Sequence, residues 1–452
     1  MKRFAEQYLS EWRNRSDRKP LVVRGARQVG KTHLVEHWGQ GHFKVVVKLD
    51  LERERDLHAL FEGQDPRKLL EEISLLKGQR LVPGECLLFL DEVQACPRAL
   101  SALRYFHEII PEVHVVAAGS LLDFALREFK HSMPVGRIEY LFLHPMSFEE
   151  FLLATEGEPL VTHLQNFHLG DEVNAAVATR IKESLRRYFF IGGMPEAVHA
   201  STEKAGLVDI QRIQSSIVQT MQDDFAKYGT RLQQDLLRKA FRHVAQHVGR
   251  KIKYVNISRE SRSAEVKTAL GLLAQSRVVH LVLHTSANGI PLGAETNERH
   301  FKGLFLDIGL ANQLCGLNLA PIEELLTVNE GGLAEQFVGQ ELLCSGLRFQ
   351  EEPLFYWHRE ARNANAEVDY VISEGRSILP VEVKAAKGGA LRSVFQFLQE
   401  KRQAKAIRFY AGKTGIETLA VPGESGSGIK LLSLPLFLAG QTHRLAREFC
   451  RG

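Results

Sequence analysis

The sequence is poor in cysteine: five in 452 residues, at positions 86, 96, 315, 344 and 450. They are odd in number, far apart and include no CxxC pair, which excludes a disulfide framework or a zinc ribbon as the organising device. Long apolar runs are missing as well. No stretch approaches the roughly 18 uncharged apolar residues of a membrane-crossing helix. Residues 1–20 are charged throughout and lack the apolar segment of a secretory signal. A soluble, cytoplasmic protein with no membrane partner is expected. Charge of one sign is scarce too. The 58 Lys and Arg against 54 Asp and Glu leave a formal net charge of +4, too small to announce a nucleic-acid partner yet compatible with a local basic groove. Internal repeats, low-complexity tracts and long Gly/Ser/Pro linkers are absent.

What is there is ordinary globular sequence, 44% hydrophobic and 25% charged. A disordered or collagenous chain is excluded, and the length suits two to four domains of about 100–200 residues each. Short apolar runs at residues 21–23, 45–49, 87–90, 113–118 and 140–143 alternate with helical periodicity. That pattern predicts a mainly parallel sheet covered on both faces. Residues 148–228 read as helices, broken once at Gly192-Gly193-Met194-Pro195.

Residues 232–314 read as helix, short helix, helix and two strands, the order of a winged helix-turn-helix. Residues 263–275 would be its recognition helix, presenting Glu265, Lys267 and Thr268. DNA contact and packing between domains both remain open for this element. Residues 333–452 read as helix, three strands, helix and strand. The expected domains are residues 1–147, 148–230, 231–325 and 326–452.

The segment Gly25-Ala26-Arg27-Gln28-Val29-Gly30-Lys31-Thr32 fits G-x-x-x-x-G-K-[ST]. It follows a strand and opens a helix, the context in which such a loop turns its backbone N–H groups onto phosphate oxygens. Lys31 would neutralise the β- and γ-phosphates of ATP, and Thr32 would place its hydroxyl on Mg²⁺. Residues 86–92, Cys-Leu-Leu-Phe-Leu-Asp-Glu, read as a buried strand ending in two acids. Asp91 is placed to associate with Mg²⁺, and Glu92 to polarise the attacking water. A further strand ends at Gly119-Ser120. Ser120 could sense the γ-phosphate or hold the water, or it could cap the next helix.

Residues 18–145 resemble a P-loop ATPase of the AAA+ type. Arg24 to Thr32, Leu90-Asp91-Glu92-Val93-Gln94 and Ala118-Gly119-Ser120 are similar to one prokaryotic family. The C-terminal region of that family is known as DUF4143. Gly136-Arg137, the segment Leu141 to Phe151, and Tyr188 to Glu196 extend the resemblance over nearly the whole chain. A winged helix in the middle is also what the resemblance implies. Arg137 is a candidate sensor or trans-acting arginine, which would stabilise charge on the γ-phosphate and imply a homo-oligomer if it acts in trans. A solvated surface charge is the alternative.

Two strand-like segments, residues 367–372 and 379–385, are joined by a turn at Glu374-Gly375-Arg376. Strand periodicity puts Glu382 and Lys384 on one face, with Asp369 on the neighbouring strand and Glu335 approaching from a helix. Carboxylates on adjacent strands can hold Mg²⁺, and the set Glu335, Asp369, Glu382 and Lys384 looks like the PD-(D/E)XK nuclease core. Whether such a site cleaves stays open.

The fold class expected is α/β: a P-loop AAA+ core with a parallel sheet, a helical lid with a winged helix, and a restriction-endonuclease-like C-terminal domain. The expected activity is hydrolysis of ATP–Mg²⁺ to act on DNA, branched DNA among the candidates, by remodelling, translocation or regulated cleavage. The alternative is an ATP-driven switch in signalling or defence whose C-terminal domain binds a protein partner without cleaving DNA.

Overall fold

Strands that are apolar along nearly their whole length are stable only where both faces are covered, as in a parallel sheet. Such strands make the first of two units in the computed structural model, which describes residues 1–63, 65–119, 136–227, 230–316, 331–360, 365–384, 391–420 and 428–452. The first unit comprises Met1–His144 with Gln275–Arg277 and Leu347–Glu351. Its strands are β1 (Leu21–Arg24), β2 (Val45–Asp50), β3 (Cys86–Asp91), β4 (His114–Gly119) and β5 (Glu139–Phe142). They run parallel in the order β2-β3-β4-β1-β5. β3 and β4 are buried at every residue.

On one face Leu88, Leu90, Val115 and Ala117 pack with Leu69, Ile73, Leu100, Leu103 and Phe106 of helices Pro66–Lys77 and Pro97–Ile109. Truncating a buried aromatic such as Phe106 to Ala typically costs about 3–5 kcal/mol. The ends of helix Pro66–Lys77 are written in the sequence. Asp65 accepts from the Arg67 N–H, Pro66 fills the first turn where no donor is needed, and Gly78 ends the helix at φ 63°.

Register aligns the carboxyl ends of the central strands: Arg24 lies beside Gly119, and Asp50 beside Asp91. Since β4 lies between β1 and β3, the glycine loop, Gly119 and the Asp91-Glu92 pair share one edge, where an open parallel sheet places its ligand. The two returning segments pack against the opposite end of the sheet order, at β5. Phe142 N–H donates to the Arg348 carbonyl (2.7 Å), and Arg277 pairs with both oxygens of Glu351 (3.0 and 3.2 Å) while lying 4.8 Å over the Phe142 ring.

The second unit comprises Pro145–Ala274, Val278–Gly346 and Glu352–Gly452. It begins with helices Phe148–Thr155, Glu158–Gln165, Ala175–Ile191, Pro195–Thr202 and Leu207–Asp224, as the periodicity predicts. Helices Arg231–Gln246, Tyr254–Ile257 and Ser263–Gln275 follow. The last buries Val266, Ala269, Leu270 and Leu273 and exposes Glu265, Lys267 and Thr268.

Eight strands then form one mixed sheet: β6 (Val279–Thr285), β7 (Thr296–Phe305), β8 (Leu354–His358), β9 (Glu367–Glu374), β10 (Ser377–Val383), β11 (Lys405–Tyr410), β12 (Gly415–Ala420) and β13 (Gly428–Pro435). Their order is β12-β13-β11-β10-β9-β8-β6-β7. The antiparallel hairpin β6–β7 joins this sheet through a parallel pairing of β6 with β8. Strand periodicity reports which faces are apolar and not which strand is the neighbour, so this continuity was invisible in the sequence. Helix Arg392–Lys401 covers one face, where Val394, Phe397 and Leu398 meet Val368, Val371, Ile378 and Leu431. Among the described residues no helix is long and apolar enough to cross a membrane.

Candidate functional site

The glycine loop occupies the turn between β1 and helix Lys31–His42. Its tight curl needs left-handed backbone at Gln28 (φ 64°) and Gly30 (φ 91°), and at the second of these only glycine is free of penalty. Arg3 pins the loop from below, donating to the carbonyls of Val29 (3.0 Å) and His144 (2.8 Å). Lys31 is buried, and its ammonium donates to the carbonyls of Gly25 (2.9 Å) and Ala26 (2.8 Å). Burial lowers its pKa to about 8, opposed by the charges of Glu92 and Asp91.

Thr32 Oγ1 donates to Asp91, 3.0 Å from Oδ2 and 3.2 Å from Oδ1. Burial raises the Asp91 pKa, countered by this hydrogen bond. A hydroxyl and a carboxylate side by side are hard oxygen donors and fit Mg²⁺. Arg27 lies 3.9 Å from Glu52.

Glu92 sits in the left-handed region, φ 47°, a strained conformation for a side-chain-bearing residue that recurs at functional sites. Its carboxylate accepts a hydrogen bond from the Gln94 amide. Gln94 in turn fills the space above Gly119, where an added Cβ would lie 2.2 Å from Gln94 Oε1. The role of Gln94 was missed in the sequence, although it stands two residues beyond Glu92 within a quoted motif. Ser120 lies outside the described residues.

Arg137 is exposed and donates to Glu108 (2.9 Å), which also pairs with Arg104 (3.1 Å). It precedes β5, whose residue Glu139 is in register with Leu21 at the start of β1. Arg137 therefore lies at the amino ends of the strands, and the glycine loop at their carboxyl ends.

In the second unit the fold brings Glu335, Asp369, Glu382 and Lys384 together, and it adds residues that the sequence did not reveal. Lys302 of β7 is 2% exposed at its side chain and directs Nζ at Glu367 Oε1 (2.6 Å), Glu335 Oε2 (3.2 Å) and Asp369 Oδ1 (3.5 Å). Lys251 holds the other oxygen of Glu367 (2.8 Å). Asp369 Oδ2 accepts from the Val383 N–H (2.8 Å), and Lys384 pairs with Glu382. Glu382 is buried, so the hairpin face is no ordinary solvated one, and among the described residues its Oε2 has no hydrogen-bond partner.

Burial, then the neighbouring Asp369 charge, raises the pKa values of Glu335 and Glu382. Burial alone would lower that of Lys302, but Glu335, Asp369 and Glu367 outweigh it and hold the ammonium firmly charged. Mg²⁺ was expected on Asp369 and Glu382. The Lys302 ammonium already lies on Asp369, and that of Lys384 on Glu382, and among the described residues no group of three or more His, Cys, Asp or Glu is arranged to hold a metal ion. With Lys302 in place, Glu335, Glu367 and Asp369 do not fit a bound Mg²⁺. A lysine in a polar stretch such as Glu298-Arg299-His300-Phe301-Lys302 carries no sequence sign of burial.

Three family models match the chain: an AAA domain over residues 17–152, a domain of unknown function (DUF8612) over residues 182–320, and DUF4143 over residues 330–436. No curated protein matches. Among solved structures, the Walker-type ATPase of Pyrococcus abyssi is similar at 13% identity over 68% of this chain and 94% of that one, with a TM-score of 0.42. The ORC2 protein of Aeropyrum pernix in its ADPNP–ADP complexes is similar at 13% identity over 69% and 90%, with a TM-score of 0.34. The A. pernix ORC1 protein in complex with DNA gives 13% identity over 69% and 90%, with a TM-score of 0.28.

Proposed function

Since the chain is a P-loop ATPase of the AAA type with a C-terminal DUF4143 domain, we propose that it binds and hydrolyses ATP with Mg²⁺ in order to act on DNA. The observation that carries the ATPase reading is the meeting of Thr32 with Asp91 at 3.0 Å, with Glu92 as the next residue. The backbone N–H groups of Gly25 to Thr32 cradle the phosphates, and Lys31 exchanges its two carbonyl partners for phosphate oxygens. Mg²⁺, held by Thr32 and Asp91, supplies charge neutralisation when bound. Glu92, fixed by Gln94, accepts a proton from the attacking water. Arg137, at the far strand ends of its own subunit, serves the site of a neighbouring copy, so the working form is a homo-oligomer located in the cytoplasm.

The DNA reading rests on helix Ser263–Gln275 and the hairpin β6–β7, read together as a winged helix. Between them opens a groove of about 990 Å³ lined by Tyr254, Ser263, Lys267, Ser286, Asn288 and Thr296. Glu295 and Glu360 also line it; their charge opposes a phosphate backbone, so Lys267 carries the attraction to DNA there.

The test is the ATPase rate against duplex, single-stranded and branched DNA at low salt, with sedimentation in parallel. A DNA-stimulated rate that collapses in Lys31→Ala is the expected result. Slow turnover insensitive to every DNA would instead support an ATP-driven switch whose C-terminal domain binds a protein. The burial of Lys302 among the nuclease-like carboxylates favours the non-cleaving part of that second reading.

A further inference from the structure

Lys302 reaches the carboxylates from a different strand than any of them. Glu367 and Asp369 come from β9, Glu382 from β10 and Glu335 from helix Gly332–Ser345. Its backbone is fixed by pairing with Val282 of β6 and by a bridge to Lys251. The ammonium lies 5.4 Å from the centre of the Tyr356 ring, whose face favours a cation. The charge is therefore part of the folded sheet and is not a mobile side chain that has swung in from solvent.

We infer that Lys302 is the resident cation of Glu335, Glu367 and Asp369, and that with it in place this cluster is closed to Mg²⁺. Two physical reasons support this. A divalent ion on Glu335, Glu367 and Asp369 would lie within about 3 Å of an ammonium in a water-poor site, where like charges repel strongly. The lysine is also tethered, so a free ion competes against a partner of very high effective concentration. Glu382, the fourth carboxylate, takes its ammonium from Lys384 through one oxygen. The C-terminal domain then contributes a binding surface and no metal-dependent cleavage. The inference is independent of the ATPase reading, because it is tested without nucleotide or DNA.

The experiment titrates Mn²⁺, followed by electron paramagnetic resonance, into the nucleotide-free full chain carrying Asp91→Asn to silence the phosphate site. No bound Mn²⁺ is expected up to about 1 mM. Adding Lys302→Met should create one site at least about tenfold tighter, and Mn²⁺ should raise its melting temperature. If the unbalanced carboxylates prevent Lys302→Met from folding, Lys302→Gln combined with Glu367→Gln removes one charge of each sign and should also gain the site. Mn²⁺ bound before any change at Lys302, and lost on Asp369→Asn, overturns the inference. So does a folded Lys302 variant that gains no Mn²⁺.

Discussion

Thr32 and Asp91 stand 59 residues apart in the chain, and the Thr32 hydroxyl donates to both carboxylate oxygens, at 3.0 and 3.2 Å. If this pair holds Mg²⁺ beside ATP, Thr32→Ala should weaken ATP binding about tenfold in Mg²⁺, the size of a lost charge-assisted contact. It should change binding little in EDTA. Thr32→Ser keeps the hydroxyl and should restore most of the loss. Isothermal titration with and without Mg²⁺ separates the three outcomes.

Glu92 and Gln94 separate chemistry from binding. Glu92→Gln should lower kcat by about 10²–10⁴, the usual contribution of a general base, while ATP affinity stays within a factor of about three. Gln94→Ala leaves the carboxylate in place but unanchored and should cost about tenfold in kcat. Gly119→Ala should reproduce the Gln94 result, since its Cβ would lie 2.2 Å from Gln94 Oε1. Steady-state kinetics on the three variants decide this. Equal loss of binding in all of them would assign Glu92 to the nucleotide pocket alone.

Lys31 provides a pH test. Burial sets its pKa near 8, below the ordinary lysine value, so in the free protein it loses its proton above pH 8. ATP requires the charged form. Binding above pH 8 must therefore take up a proton, and affinity should fall by up to about tenfold per pH unit. The stability of the free protein moves the opposite way. Between about pH 8 and the ordinary lysine range the unfolded chain holds more protons, so folding strengthens as pH rises. Titration calorimetry in two buffers of different ionisation enthalpy measures the proton uptake directly.

Arg137 gives an oligomer test. Placed at the amino ends of the strands beside Glu108, it should act only on a neighbouring copy. Arg137→Ala should reduce ATPase activity by about 10³-fold or more, the scale of an arginine finger, and mixing it with Lys31→Ala protein should restore activity by complementation. An unchanged rate would return Arg137 to the surface charges.

Glu341 provides a stability test away from the nucleotide. Its carboxylate accepts the Phe148 N–H at 2.9 Å, and burial raises its pKa to about 8. The folded chain thus holds this proton at pH values where the unfolded chain has lost it, and stability falls as pH rises from the ordinary carboxylate range to about 8. Glu341→Gln keeps the acceptor and removes the titration. It should match the parent near pH 4.5 and exceed it by about 3 kcal/mol at pH 7. Denaturant midpoints across that range check the slope.

The glycine loop, the acidic strand end and the five parallel strands were legible because each is a local signal: a spacing, a run of apolar residues, a turn. The pairing of Asp369, Glu382 and Lys384 was legible for the same reason, since a short hairpin and a period of two place them without knowledge of the remaining fold. The sheet that joins β6–β7 to the C-terminal strands, the clamp of Gln94 on Glu92 across Gly119, and the burial of Lys302 among carboxylates from separate elements are different in kind. They depend on which strand lies beside which, and on whether a charge ends in water or in protein. No local pattern encodes that, because the desolvation and Coulomb energies that decide it arise only once distant segments have packed together.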